Sequence, residues 1–255
     1  MSQLLQTRGL TIKKGNRILC QKLNLTVNQG ERWGILGKNG AGKTSLLYTF
    51  AGLELPLHGE RLIMQDHIES LSRREIAQRL GLMLQDTPDP FPATVLQTAL
   101  MGRHPYLSRW QWESQNDINL TRAVLEQVGL KEFDARQVSS LSGGERRRLA
   151  LATLLVQSPP LMLLDEPTNH LDLHYQHAML NLLQQHTKKE HAIITVLHDI
   201  NHAAKYCTHA LLLFDDGTSL TGSCQAVLTT DHLSKVFNTQ IKKHCIDGKD
   251  YFYAT

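Results

Sequence analysis

Two stretches of the chain are built to meet negative charge. The first is Gly37-Lys38-Asn39-Gly40-Ala41-Gly42-Lys43-Thr44, followed by Ser45 and then by Leu46, Leu47, Phe50 and Ala51 at helical spacing. Glycines at 37, 40 and 42 permit tight turns in which successive N–H groups face inward around a polyphosphate. The helix that follows adds its positive N-terminal end, and Gly52 is placed to cap its far end. Lys43 is spaced to reach β- and γ-phosphates and Thr44 to ligate Mg²⁺, the Walker A pattern, with Glu31 to Leu36 read as the strand before it. The second stretch is Leu141-Ser142-Gly143-Gly144-Glu145. Ser142 and Glu145 form a capping box that opens a helix through Leu149, Ala150 and Leu154, and the glycines leave its first amides uncovered. Taken alone, that pattern is an ordinary capped helix.

Three apolar runs end in a polar residue suited to phosphoryl chemistry. Leu161 to Leu164 leads into Asp165-Glu166, Ala192 to Leu197 into His198, and Leu82 to Leu84 into Gln85. Continuous apolar runs of this length mark parallel strands buried on both faces, and active residues of open α/β sheets lie at such carboxyl ends.

With these motifs in this order, the chain resembles the ATP-binding cassette (ABC) family, over nearly its whole length from about Leu4. The resemblance implies an α/β P-loop NTPase fold: a mainly parallel RecA-like core sheet, an N-terminal antiparallel β-subdomain and an inserted α-helical subdomain. It implies one domain over 1–255, with core and β-subdomain in about 1–85 and 156–255, and the Q-loop and signature subdomain in 86–155. Nucleotide would be bound by residues 37–45 and, from a second subunit packed head to tail, by Ser142, Gly143, Gly144 and Glu145. Asp165 matches the Walker B carboxylate that holds Mg²⁺ with Thr44 and Gln85, Glu166 the catalytic base, His198 the switch histidine on the γ-phosphate, and Gln85 the Q-loop residue that touches metal and water. Asn169 to Asp172 resembles the D-loop. The family's adenine-stacking aromatic falls at Lys14, which puts selectivity for ATP over GTP in doubt.

Met101-Gly102-Arg103-His104-Pro105-Tyr106 is similar to a segment of cassettes serving iron-siderophore, haem and cobalamin importers. The implied partners are a second copy, integral membrane permease subunits and, indirectly, an extracytoplasmic solute-binding protein. Phe91, Tyr106, Leu107, Trp110 and Trp112 offer a partner helix apolar and aromatic surface, or else fill the small subdomain's core. An iron–sulfur cluster assembly ATPase would share every catalytic motif and is the alternative. A long heptad insert, as in chromosome-type ATPases, and a second cassette, as in translation-associated ones, are both missing.

Bulk properties fit this reading. A chain of 255 residues with 41% hydrophobic content can bury one large core, and a net charge of +3 does not argue for nucleic acid. No apolar stretch approaches membrane-spanning length and no secretory signal opens the chain, so the expected location is cytoplasmic, peripheral on the membrane's inner face. Four scattered cysteines and thirteen histidines form no zinc-spaced cluster. Arg146-Arg147-Arg148, the densest basic run, reads as a solvated helix face or a contact to nucleotide or partner. Leu23, Leu25 and Val27 alternate as in an antiparallel strand, Ser72 and Glu75 cap a short helix, prolines at 88, 90 and 92 forbid helix, and a helical segment runs from about Thr94 to Gln137.

Overall fold

The computed structural model describes residues 2–85, 92–108, 110–169, 171–187, 190–246 and 249–255. Phe91, His170 and the prolines at 88 and 90 lie outside them. In chain order the elements are β1 (Gln3–Lys14), β2 (Arg17–Asn28), β3 (Arg32–Leu36), α1 (Lys43–Phe50), β4 (His58–Ile63), β5 (Asp66–His67), α2 (Arg73–Arg79), β6 (Leu80–Met83), α3 (Val95–Leu100) and α4 (Gln115–Gln127). There follow α5 (Gly143–Gln157), β7 (Leu161–Asp165), α6 (Leu173–His186), β8 (Ala192–Val196), α7 (Ile200–Tyr206), β9 (His209–Leu213), β10 (Ser219–Ser223), α8 (Cys224–Val227), α9 (Thr230–Phe237), β11 (Ile241–Ile246) and β12 (Lys249–Ala254).

The central sheet has the order β10-β9-β3-β8-β7-β6 and is parallel except for β10. Its middle strands read as unbroken apolar runs because both faces are covered. Leu161 and Leu163 of β7 pack on the side of α1 and the N-terminal sheet, while Met162 and Leu164 pack on the side of α5 and α6. The N-terminal sheet, β2-β1-β4-β5, is antiparallel, and Leu23, Leu25 and Val27 all point into its core.

The expected helical segment after Thr94 is interrupted. The Thr94–Gln97 capping box starts α3, but the chain then tightens into a 3₁₀ turn over Met101–Tyr106 with Pro105 inside it, and α4 begins only after Ser114. Proline has no N–H to continue an α-helical ladder, which explains the break. Gly102 sits where this turn presses on α5: a Cβ there would lie 2.8 Å from the Gln157 backbone nitrogen and closer still to the Thr153 carbonyl. Arg103 spans the same corner, paired with Asp117 at 2.8 Å and lying over the Tyr106 ring. Gly102 and Arg103 therefore pack internally, while Met101 and His104 are exposed. Trp110 and Trp112 are exposed, at 89% and 87%.

Gly102→Ala should destabilise the protein by about 1–3 kcal/mol through overpacking against α5. Chemical denaturation would show this as a lowered midpoint with an unchanged slope; an unchanged midpoint would mean that the turn can move away.

Candidate active site

The phosphate loop leaves the carboxyl end of β3 and runs into α1. Gly40 (φ +78°) and Gly42 (φ +100°) hold the left-handed conformation that the turns need, and a Cβ on Gly42 would strike the Leu19 side chain. Gly42 is the N-cap of α1 and offers no side chain, so the first amides of the helix stay open to an anion. Lys43 is buried and its Nζ donates to the carbonyls of Gly37 (2.8 Å) and Lys38 (3.0 Å). Burial lowers its pKa, opposed by the charges of Glu166 and Asp165. Lys38 turns its ammonium outward to Asp215 at 2.8 Å, tying the loop to the segment between β9 and β10.

Neighbouring strands bring the remaining groups to the same edge. A cavity of about 420 Å³ is lined by Asn39, Gly40, Gly42, Lys43, Thr44 and Ser45 of the loop together with Gln85, Glu166 and His198. Lys14 and Leu19 complete the wall. The residue at the expected base position thus borders the same cavity as the phosphate loop.

Asp165 ends β7 beneath this wall, fully buried, with no hydrogen-bond partner for either carboxylate oxygen. Burial raises its carboxyl above the usual range; Glu166 adds to the rise, while Thr44, Arg147 and Lys43 oppose it. The Thr44 hydroxyl lies near enough to ease the shift without satisfying either oxygen. Such an orphaned carboxylate, with a hydroxyl and an amide side chain at hand, suits Mg²⁺, which is held by one or two carboxylates together with substrate phosphates. Among the described residues no cluster of three His, Cys, Asp or Glu side chains exists to hold another metal.

Glu166 adopts a positive φ of 48°, a strained position for a residue with a Cβ, at the turn where β7 ends. One carboxylate oxygen accepts from the Asn169 side chain and the other lies 2.5 Å from His198 Nε2. The histidine expected to face a γ-phosphate therefore also touches the expected base, and Asn169 orients that base from the opposite side.

The Ser142–Glu145 capping box forms as read, with both reciprocal bonds in place, and Glu145 also pairs with Arg136 at 3.1 Å. These residues do not line the cavity. Ser142 and Gly143 are exposed, and a Cβ on Gly143 would meet nothing within 4 Å.

The arginine run differs from expectation, because all three side chains turn onto the chain itself. Arg146 donates to the carbonyls of Leu141 and Ser139, and Arg148 donates to Val128 and Gly129 while lying over the Tyr175 ring. Arg147 is buried. Its Nε donates to the Pro167 carbonyl (3.2 Å), Nη1 to Leu84 (2.6 Å) and Gln85 (2.5 Å), and Nη2 to Asp165 (2.5 Å) and Glu166. In sequence the only hint is its place five residues after Ser142, since a triple arginine looks like solvated surface.

A glycine-rich loop, an orphaned carboxylate and a clamped glutamate on one parallel sheet edge define a P-loop nucleotide site. The chain matches the ABC transporter family over residues 20–169, and it belongs to that family. It is 33% identical to the cobalamin import ATP-binding protein BtuD of Halobacterium salinarum over 93% of its own length, and spans 59% of that relative. It is 33% identical to the petrobactin import ATP-binding protein FpuD of Bacillus anthracis, covering 94% of this chain and 88% of that one. In structure it is similar to a metal-chelate type ABC transporter in an inward-facing conformation, with a TM-score of 0.85, 25% identity and coverage of 99% and 97% of the two chains.

A raised pKa for Asp165 means that the folded chain holds this proton more tightly than the unfolded one, so ionisation costs stability. Without metal, stability should fall as pH rises from the ordinary carboxyl range through the raised value, and Asp165→Asn should remove that part of the slope. At neutral pH the variant should melt about 2–4 °C higher for each kcal/mol recovered, while losing any stabilisation by Mg²⁺ and nucleotide. A lower melting temperature in the metal-free variant would contradict this charge balance.

Proposed function

We propose that the chain is the ATP-hydrolysing subunit of an importer for an iron-siderophore or related metal chelate, working as a head-to-tail homodimer beneath separate membrane permease subunits. The observation that carries this reading is the division of the two phosphate motifs: one lines the cavity with the candidate catalytic groups, while the other stands outside it on open surface. A second copy turned head to tail would bring Ser142, Gly143 and Gly144 to the nucleotide held by residues 37–45 of the first. The relatives named for cobalamin and petrobactin import favour a chelate over the iron–sulfur assembly alternative. An importer of this kind would also work with a solute-binding protein outside the membrane. Among the described residues no helix is long and apolar enough to cross a membrane.

The roles follow from charge and proton placement. Lys43 and the first amides of α1 meet the phosphate oxygens, and Lys14 and Leu19 border the base end. Mg²⁺, held by Thr44, Asp165 and Gln85, would supply neutralisation of the phosphate charge. Glu166 accepts the proton of the attacking water, and Asn169 fixes its carboxylate. His198 bonds either to Glu166 or to the γ-phosphate, and can report nucleotide occupancy to the base.

Glu166→Gln should lower steady-state ATP turnover by roughly 10²-fold or more while leaving nucleotide binding intact. Light scattering after size exclusion in Mg-ATP should find the variant as a dimer. Wild-type turnover in the variant would remove Glu166 from the role of base, and a monomer at every ATP concentration would contradict the dimeric site.

A further inference from the structure

Arg147 lies in the same helix as the capping box, yet its guanidinium reaches the two chain segments that carry Gln85 and Glu166 to the cavity. A guanidinium has five N–H donors in a rigid plane, and here five carbonyls accept from it. Two belong to the end of β6, at Leu84 and Gln85. Three belong to the end of β7, at Asp165, Glu166 and Pro167. Lysine could not replace this fork, since an ammonium is a point charge with three donors.

The helix carrying the fork is stiff. α5 runs for 15 residues, is capped by reciprocal bonds at Ser142 and Glu145, and buries Leu149, Leu151, Ala152, Leu154, Leu155 and Val156. Ser142 and Arg147 are less than two turns apart, so a displacement at the exposed N-terminus must carry the guanidinium with it. The carbonyls that follow are those of the candidate base, the candidate metal carboxylate and Gln85. Glu166 is especially responsive: its carbonyl is held by Arg147, its side chain by Asn169 and His198, and its φ lies in a strained region.

We propose that Arg147 is a positioning residue through which engagement of one subunit's α5 N-terminus by its partner's nucleotide sets Glu166 and Gln85 in that subunit's own site. The two sites of a dimer are thereby coupled through a path inside each chain. This inference rests on the composite site proposed above.

Arg147→Lys keeps the charge and loses the fork; Arg147→Gln loses both. Each should bind a fluorescent ATP analogue as monomer within about threefold of wild type, because residues 37–45 are untouched. Turnover at saturating ATP should fall by roughly 10- to 100-fold, and the Hill coefficient for ATP should drop to about 1, with Lys rescuing little over Gln. A wild-type kcat and Hill coefficient in Arg147→Lys would overturn the proposal, as would a loss confined to KM. If Ser142→Arg kept full activity, the composite site itself would fail; an inactive Ser142→Arg beside a fully active Arg147→Lys would remove only the coupling. Hydrogen–deuterium exchange on the unmodified protein tests the same point if the variants do not fold. With a non-hydrolysable ATP analogue, segments 84–85 and 165–169 should gain protection in step with 142–150 as protein concentration rises. Protection at 165–169 that saturates while 142–150 stays unprotected would overturn it.

Discussion

The site is organised around a carboxylate that has no business being charged where it lies. Asp165 is fully buried with both oxygens unpartnered, a placement that normally drives a carboxyl to its neutral form. The cost is offset in part by the Thr44 hydroxyl and by two buried cations from different parts of the chain, Arg147 from α5 and Lys43 from the phosphate loop. Removing either would push the Asp165 carboxyl further toward its neutral form. The same arrangement leaves the oxygens of Asp165 available to a divalent ion. Loop, sheet and signature helix are thus joined by one charge balance, and the unmet demand at its centre is for a cation.

Much of this was readable in advance where residue type alone dictates conformation. The buried strands β3, β7 and β8 stand within a residue or two of their apolar runs, because a strand covered on both faces leaves no polar alternation to confuse its limits. Capping boxes at Ser72, Thr94 and Ser142 opened helices as expected, since the reciprocal bonds need only neighbours three residues apart. Features that depend on distant partners were not readable. Arg147 meets five carbonyls that lie 18 to 63 residues away, and nothing in a triple arginine separates that side chain from its two neighbours. The positive φ of Glu166 and its clamp by Asn169 belong to a turn whose shape is set by packing. A reading of one helical segment from Thr94 to Gln137 passes over the break at Pro105, and the reason for Gly102 lies in its contact with α5.

The placement of the second phosphate motif, outside the cavity and on the surface, is what the proposed shared site rests on. A helix N-terminus with two glycines, open to solvent and outside the cavity, has the Glu145 amide met by its own cap, while the glycines keep side chains away from the amides ahead of it, where an anion could bind. The phosphate loop, conversely, meets charge from one side only. Under the proposed function each half would supply what the other lacks, and a two-fold arrangement of copies would join them twice.

Complementation between two disabled subunits tests that claim most directly. Lys43→Ala removes the phosphate loop's cation and Ser142→Arg fills the signature helix's anion site, so each homodimer should be inactive. Mixed, the two should regain ATP hydrolysis at the reduced rate expected of Arg147→Lys, because the one whole site of a heterodimer combines the intact loop of the Ser142→Arg subunit, whose own α5 is left unengaged, with the intact helix of the other. Full activity in Ser142→Arg alone, or no recovery from a mixture in which heterodimers demonstrably form, would contradict a nucleotide site shared between subunits.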